Sequence, residues 1–585
     1  MPKKLFYSPG KLHRLKTWAR IYRNNTVTAV FVSLLLPFFC GIGQNAGKLA
    51  IGRSAMVSSA SPYASRVGLD ILRQGGNAVD AAVAMGFALA VTYPSAGNLG
   101  GSTYLIIRMA DGREAAIDAR EVAPLTAARD MYLDSEGEVI GGLSTAGALA
   151  AGVPGTVDGL LTALKDYGTL SREQALAPAI HLAKHGFAIH ERLAALFRIY
   201  ESDLRQFPSS EKVFFNGADT YTKGDIWKQP ELAATLQRIS DSGRAGFYSG
   251  TTADLIAAEM EKSGGIINHR DLEEYTCITR KPVRGAYKGY DILSMPPSSS
   301  GGVVLIQILN MLEQFDVGAY NPGDPEYIHI LAECMRRAFA DRASKLGDPA
   351  FVDIDVEKLI SKEYAQAKAR SISMTVATPS EQIGEKQLIR EGMNTTHYSV
   401  ADKFGNVVSV TTTINSTLGS KLVVDGAGFL LNNEMDDFSI KPGIPNQYGL
   451  VEGDANAIEP GKRMLSSMTP TVVLRNEKPV MVAGSPGGPT IITAVLQVIL
   501  NILEHNMLAS DAAAAKRIHH QWVPDQIRYE SGALTANTQQ SLQEKGHILR
   551  EVSEMGRIDL IVLDPVTGMK YGCSDPRGYG AALGY

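Results

Sequence analysis

Several small sets of polar residues in this chain are of types that could do chemistry. Thr411, Thr413 and Asn415 alternate along one β-patterned run, and Thr395, His397 and Ser399 along another. Residues two apart on a strand share a face, so each set forms either a solvated face or the lining of a site. Glu434 and Asp437 lie three apart, just after the apolar run Gly428-Phe-Leu-Leu-Asn432. Such a pair can sit in a solvated turn, open a helix, hold an ammonium group or ligate a metal. The metal reading needs further ligands, and the local sequence offers only Asp436. Arg120 is either a surface ion pair or, through its planar fork, a grip for a carboxylate. Gly487-Gly488 taken alone is a turn. His181 and His185 stand four apart on a helix-patterned segment, and His519 adjoins His520. Neither pair has a third ligand nearby, so both read as surface or helix-end histidines rather than a metal centre. The chain has no Walker loop, no G-x-S-x-G elbow and no H-E-x-x-H. Around Gly41-Ile-Gly43 it lacks the short strand before, and the acidic residue about 20 positions after, that a dinucleotide-binding turn requires.

The elements that must position these residues follow from periodicity. Residues 63–90 give two helices broken at Gly75-Gly76, the second Ala-rich and buried. Residues 104–108 and 115–118 form a hairpin across Asp111-Gly112. Residues 154–273 are mostly helical. Residues 294–302 form a loop into a helix over 303–315, and another helix runs to residue 343, with Asp324 as N-cap and Pro325 at its first position. Residues 375–394 are polar, carry Pro379 and Gly384, and read as an exposed linker. After that the pattern turns abruptly to strands: 395–401, a turn over 403–406, and 407–415 as the hairpin partner.

The 585 residues amount to three to five domains' worth of chain or one large fused core. Hydrophobic residues make up 45% and charged residues 20%, a globular composition. A net charge of −4 excludes a polyanion binder driven by bulk charge, and no basic-aromatic stretch offers a nucleic-acid surface. The four cysteines include no C-x-x-C, which argues against a zinc site or a redox pair. Cys40 belongs to a targeting segment, and Cys277, Cys334 and Cys573 are expected as buried thiols. Seven lysines and arginines, Lys3 to Arg23, precede an apolar run over residues 27–43. That order reads as an export signal and places the protein in a periplasmic or extracellular setting. It is either a cleaved signal peptide or an uncleaved anchor, the run being at the short limit for a span. Lipid modification of Cys40 fits less well, because Phe38 and Phe39 are bulky where small residues are expected.

A series of ordered motifs sharpens these alternatives. Asn394-Thr395-Thr-His-Tyr-Ser-Val, Asn432-Asn-Glu434-Met-Asp-Asp437, Leu465-Ser466-Ser467-Met-Thr-Pro-Thr and Gly484-Ser-Pro-Gly487-Gly488 follow one another. Earlier come Gly75-Gly-Asn-Ala-Val-Asp80, Gly97-Asn-Leu-Gly-Gly101, Ile117-Asp-Ala-Arg120 and Pro296-Pro-Ser-Ser-Ser-Gly-Gly302, and Ser574-Asp-Pro-Arg577 closes the set. From Ser54 to Tyr585 the chain resembles the γ-glutamyltranspeptidase (glutathione hydrolase) family. The resemblance implies an α+β fold, the four-layer αββα sandwich of the N-terminal-nucleophile hydrolases. It implies self-cleavage between Asn394 and Thr395 behind an export leader at 1–48. A large subunit, 49–394, and a small catalytic subunit, 395–585, would then form a heterodimer from one precursor. A threonine hydroxyl is a weak nucleophile at neutral pH, and a freed α-amine can serve as its base. The activity implied is transfer of the γ-glutamyl group of glutathione and related compounds to water, amino acids or peptides, with no cofactor and no metal.

The resemblance also assigns roles. Thr395 is the nucleophile and Thr413 orients it. Gly487 and Gly488 supply backbone N–H groups to the oxyanion. Arg120 takes the substrate α-carboxylate, with Ser466 and Ser467 adding hydrogen bonds. Glu434 and Asp437 hold the α-ammonium, Asn415 touches either end, and Tyr448 gates a lid within residues 440–451. Glu434 stands where some relatives have Gln, Gly101-Ser102-Thr103 replaces a longer glycine run, and residues 556–559 depart from the small polar sequence usual there. Three other functions share some of these features: a glutaryl (β-lactam) acylase, a poly-γ-glutamate transpeptidase and a non-catalytic binder of glutamyl peptides. The two carboxylates argue against the first, the retained lid against the second and Thr395 against the third.

Overall fold

In the computed structural model, residues 48–383 and 395–585 are described, less 442, 445 and 451; the leader with its 27–43 run and Asn394 lie outside the described residues. The strands that build the centre, in chain order, are Lys48–Gly52 (β1), Met56–Ser59 (β2), Ser102–Arg108 (β3), Glu114–Ala119 (β4), Ile278–Arg280 (β5), Val283–Tyr287 (β6) and Tyr290–Ser294 (β7). Thr396–Ala401 (β8), Val407–Thr413 (β9), Thr471–Arg475 (β10), Lys478–Gly484 (β11), Asp559–Leu563 (β12), Lys570–Ser574 (β13) and Ala581–Gly584 (β14) follow. They form two seven-stranded sheets, ordered β1-β13-β12-β11-β10-β7-β6 and β14-β2-β8-β9-β3-β4-β5. Every neighbouring pair in both is antiparallel.

The period-2 alternation of the strands sorts their apolar side chains into layers. Tyr104, Ile106, Leu293, Val472, Val482 and Ile561 meet between the sheets. Leu105, Ile107, Val400, Val408 and Val410 point the other way, onto the helices Pro62–Arg73 (α1), Ala78–Thr92 (α2) and Thr156–Tyr167 (α3). Val473, Met481 and Leu560 face Gly301–Leu312 (α4), Pro325–Lys345 (α5) and Thr490–Leu503 (α6). This is the four-layer αββα sandwich that the resemblance implies. With both faces covered, β3, β8 and β9 are buried at every position. The helix pair of residues 63–90 is present and broken at Gly75, whose φ is +99°. Every residue of α2 is buried, and Asn77 and Asp80 cap its start reciprocally.

The structure departs from the sequence reading in five places. The Thr411–Asn415 and Thr395–Ser399 sets do not occupy separate faces. His397 lies directly across from Thr411, and its ring bonds the hydroxyls of Thr411 (2.9 Å) and Ser399 (3.0 Å). These middle residues fill the layer between the sheets, where Gly484 leaves room: a Cβ there would lie 2.2 Å from the His397 ring. His519 and His520 are buried rather than on the surface, and burial pushes them down to about 3 and about 4, so both are neutral. Asp324 stands at the N-cap of α5, yet its carboxylate accepts from Asn321 N–H and not from the helix. Within residues 375–383, Ala377 and Ser380 are buried against the core while Thr375, Val376, Pro379, Glu381 and Gln382 are exposed, so the exposed-linker expectation holds only in part. Of the three thiols, Cys277 is only half-buried.

The loop over residues 556–559 packs closely. Arg557 N–H donates to Ser485 Oγ (3.0 Å) and Ile558 N–H to Asp575 Oδ2 (2.9 Å). Asp559 lies buried between the sheets and accepts from Ser58 Oγ (2.7 Å), and burial pushes its carboxyl up to about 7. An acid whose folded value exceeds its unfolded value of about 3.9 keeps a proton that the unfolded chain has released. Its contribution is therefore fully present below pH ~4 and is lost as pH rises to ~7. The slope approaches ~1.4 kcal/mol per pH unit in that window. Asp559→Asn is expected to remove this slope, read from urea midpoints between pH 4.5 and 7.5. An unchanged pH profile would show that Asp559 ionises normally.

Candidate active site

Thr395 immediately precedes β8, in the middle of a sheet, and Thr413 ends its hairpin partner β9. Pairing of Thr396 with Thr412 brings the two ends together, and the Thr395 hydroxyl donates to Thr413 Oγ1 at 3.3 Å. Thr413 Oγ1 also accepts the Asn415 N–H at 2.8 Å. Asn415 turns the chain with φ +69°, and its amide donates to Asn433 O at 2.9 Å. That bond joins the β9 end to the short 3-10 turn Glu434–Asp437.

A small cavity opens at this junction. Thr395, Thr413, Asn415, Arg120, Glu434, Asp437, Ser466, Ser467, Tyr448 and Gly488 all line it. Gly487 lies just behind the wall. Its φ of +134° and that of Gly488, +53°, turn the chain into α6, whose first amides have no partner within the helix. A Cβ on Gly487 would strike Thr490 Oγ1 at 2.4 Å, and one on Gly488 would press the Tyr448 ring at 3.2 Å. Tyr448 is buried over this turn, and Gln521 donates to the neighbouring Gly449 carbonyl at 3.1 Å. The Tyr448 and Ser467 hydroxyls have no protein partner. Ser466 Oγ accepts from Met468 N–H, which leaves its own proton free to be donated.

Arg120 follows β4 and is fully buried. Its Nε donates to Met464 O (3.1 Å), and Nη2 to Asp437 Oδ2 (2.5 Å). Nη1 lies 2.9 Å from Glu434 Oε2 and 3.4 Å from Glu121 Oε2. One guanidinium thus faces three carboxylates. The Glu434 contact is an ion pair by distance only, since neither Glu434 oxygen is aligned with a donor. Burial pushes Glu434 well above the usual carboxylate range and Glu121 up to about 7, with Arg120 opposing both. Burial dominates for both, because a single cation cannot compensate three desolvated anions. Asp437 differs: its side chain is 15% exposed and opens onto the cavity.

Two charged residues at or beside the cavity escaped the sequence reading. Glu121 was hidden by its neighbour, since nothing in the sequence signals that the carboxylate beside Arg120 also turns inward. Arg342 comes from α5, where Arg336, Arg337 and Arg342 look like a solvated face, yet all three are buried. Arg342 pairs with Glu452 (2.7 Å) and donates to Ser300 Oγ (3.0 Å), and Ser300 N–H in turn donates to Ser466 O (2.8 Å). Through Ser300 it braces the segment that carries Ser466.

The chain is similar in sequence and fold to known proteins. The gamma-glutamyltranspeptidase family profile matches residues 64–585. The glutathione hydrolase proenzyme of Escherichia coli strain K12 is 45% identical over 543 residues, which cover 92% of this chain and 93% of that protein. The solved structure of Helicobacter pylori gamma-glutamyltranspeptidase is 48% identical with a TM-score of 0.55, over 56% of this chain and 93% of that one. Cephalosporin acylase from Bacillus halodurans shares the fold more completely (TM-score 0.79, 92% of this chain and 97% of that one) at 27% identity. The family profile covers most of the chain and reaches every residue of the cavity wall, so the chain belongs to the γ-glutamyltranspeptidase family.

Proposed function

We propose that the chain is a γ-glutamyltransferase and glutathione hydrolase. The observation that carries this reading is that the Thr395 hydroxyl and the Arg120–Asp437 ion pair share one small cavity. A γ-glutamyl group carries an α-carboxylate and an α-ammonium. Entering as a zwitterion, it exchanges the internal Arg120–Asp437 pair for two pairs, carboxylate on Arg120 and ammonium on Asp437. Net charge in the buried cluster is unchanged, so no unpaired charge is left behind. Glu434, held toward its neutral form, is the second contact. Ser467 and Ser466 have hydroxyl protons to give to the carboxylate.

With the α-amino acid end held there, Thr395 Oγ attacks the γ-carbonyl carbon. Its proton passes through the α-amine of Thr395 to the leaving amine. The oxyanion takes N–H groups from the Gly487-Gly488 turn. The resulting γ-glutamyl ester is then cleaved by water or by the amine of an amino acid or peptide. The α-amine becomes available when the precursor cuts itself between Asn394 and Thr395. The products, 49–394 and 395–585, interleave strands in both sheets, which holds the heterodimer together after the cut. The leader at 1–48 directs export, to a periplasmic or extracellular site.

The same fold and nucleophile would suit a glutaryl acylase, but that activity needs no ammonium grip. Asp437→Asn separates the two. It is expected to lower kcat/KM for γ-glutamyl p-nitroanilide by 10-fold or more, a loss of about 1.5–3 kcal/mol from one charge-assisted contact. Glutaryl p-nitroanilide, which lacks the α-amino group, should lose far less. Equal losses on both anilides would make Asp437 structural. A wild-type protein that prefers the glutaryl anilide would overturn the γ-glutamyl reading.

A further inference from the structure

We propose that residues 373–383 are clasped to the 520–547 region in order to position the Asn394–Thr395 bond for cutting, with Asp525 and Trp522 as positioning residues. The proposal rests on the reading that the chain cuts itself there. Polar composition made this stretch look like a solvated linker, yet its groups are spent on buried contacts. The Ser380 N–H donates to Asp525 Oδ2 (2.7 Å), and its hydroxyl donates to Trp522 O (2.6 Å). Its carbonyl accepts from the Trp522 indole N–H (3.0 Å). All three hydrogen-bonding groups of one residue are therefore taken by a single turn of the C-terminal portion. Arg336, buried on α5, donates to both Asp525 and Ser380 Oγ. Glu333, one turn earlier, accepts from Thr378 N–H (3.1 Å) and Thr378 Oγ1 (2.6 Å). Ala377 N–H donates to Lys545 O (2.7 Å), and Lys545 Nζ returns to Met374 O (2.7 Å). His329, paired with His547, closes on Ser373 O.

None of these groups lines the catalytic cavity. Charge-assisted bonds buried to this extent are far more than a connecting segment needs. What they accomplish is visible along the chain. The helix before the clasp ends at Ala369, 26 positions short of Thr395, whereas the clasp ends at Ile383, only 12 short. The chain entering Thr395 is thereby tied at both ends over a much shorter path. By loop-closure scaling, freeing the clasp lowers the share of conformers that hold both ends in place by about threefold. The two sides of the clasp also belong to the two products, so it outlasts the cut.

The test is a time course of cutting after cell-free synthesis, followed on denaturing gels, for the wild type, Asp525→Asn and Trp522→Phe. Trp522→Phe keeps a six-membered aromatic ring and removes the pyrrole half of the buried indole with its N–H, so it breaks the clasp without touching the Asp525 charge, and a Tm on both variants checks that each folds. The expected result is slower appearance of the 395–585 fragment in both variants, by up to about threefold, the limit for complete release of the clasp. The cut fraction of each should keep wild-type kcat/KM on the γ-glutamyl anilide, which a merely structural role would lower together with Tm. Asp525→Glu, which retains the carboxylate, should recover part of the rate. Variants that cut as fast as a cutting wild type overturn the clasp alone. Slower cutting matched by equal loss of kcat/KM in the cut fraction also overturns it. A wild-type chain that never cuts overturns the cleavage reading and the clasp with it.

Discussion

Thr395→Ala is expected to yield a single uncut chain with no measurable γ-glutamyl transfer. Thr395 sits in the middle of a sheet with its hydroxyl on Thr413 and is 7% exposed. Alanine fits that position, so the fold should form and Tm should stay close to that of the precursor. The lost hydroxyl is the nucleophile for both reactions in the proposed scheme: the cut at its own N-terminal side and the attack on substrate. Removal of a nucleophile usually costs at least ~10³-fold in rate, because no neighbouring group replaces the covalent step. Thr395→Ser keeps the oxygen and should restore both reactions in part. The measurement is a denaturing gel together with anilide turnover. A Thr395→Ala chain that still splits before residue 395, or retains turnover, would remove Thr395 from the chemistry. A wild type that binds γ-glutamyl compounds without turning them over would return the chain to the class of binding proteins.

Arg120→Lys should fold and cut but bind substrate poorly, with KM for glutathione raised about 10- to 150-fold. The range follows from losing about 1.5–3 kcal/mol of charge-assisted bonding to the α-carboxylate, at ~1.4 kcal/mol per factor of ten. Lysine keeps the positive charge among Glu121, Glu434 and Asp437, which a neutral residue would leave unpaired in the interior. It cannot reproduce the fork, which at once reaches Met464 O, Asp437 and the cavity. Since the guanidinium acts on the bound end of the substrate and not on the reacting carbonyl, kcat should fall much less than KM rises. Initial rates over a range of glutathione concentrations decide this. An unchanged KM would show that the carboxylate is held elsewhere.

Much of this molecule is legible in one sequence. Period-2 alternation gives the hairpin of β8 and β9, and the Gly75-Gly76 break gives the two helices around it. The resemblance carried by the ordered motifs gives the family, the fold and, from Arg120 to Gly488, ten residues of the cavity wall. Local rules suffice for these, because strand alternation, turn glycines and motif order are written in neighbouring residues.

Other features depend on what comes from far along the chain. Nothing around His397 says that it lies between two sheets, because the glycine that admits it is Gly484. Nothing in residues 375–383 says that Thr378 and Ser380 are held by distant groups, because their partners are Glu333, Arg336, Trp522 and Asp525. Polar side chains look alike in sequence whether water or a distant charged group satisfies them. The pairing of Arg120 with its own prospective co-ligands, Asp437 and Glu434, was likewise decided by the fold. The sequence, through its resemblance to the family, named the groups proposed to hold a γ-glutamyl zwitterion. Tertiary structure determined that those groups pair with one another, because desolvation there is too costly for any of them to stand alone.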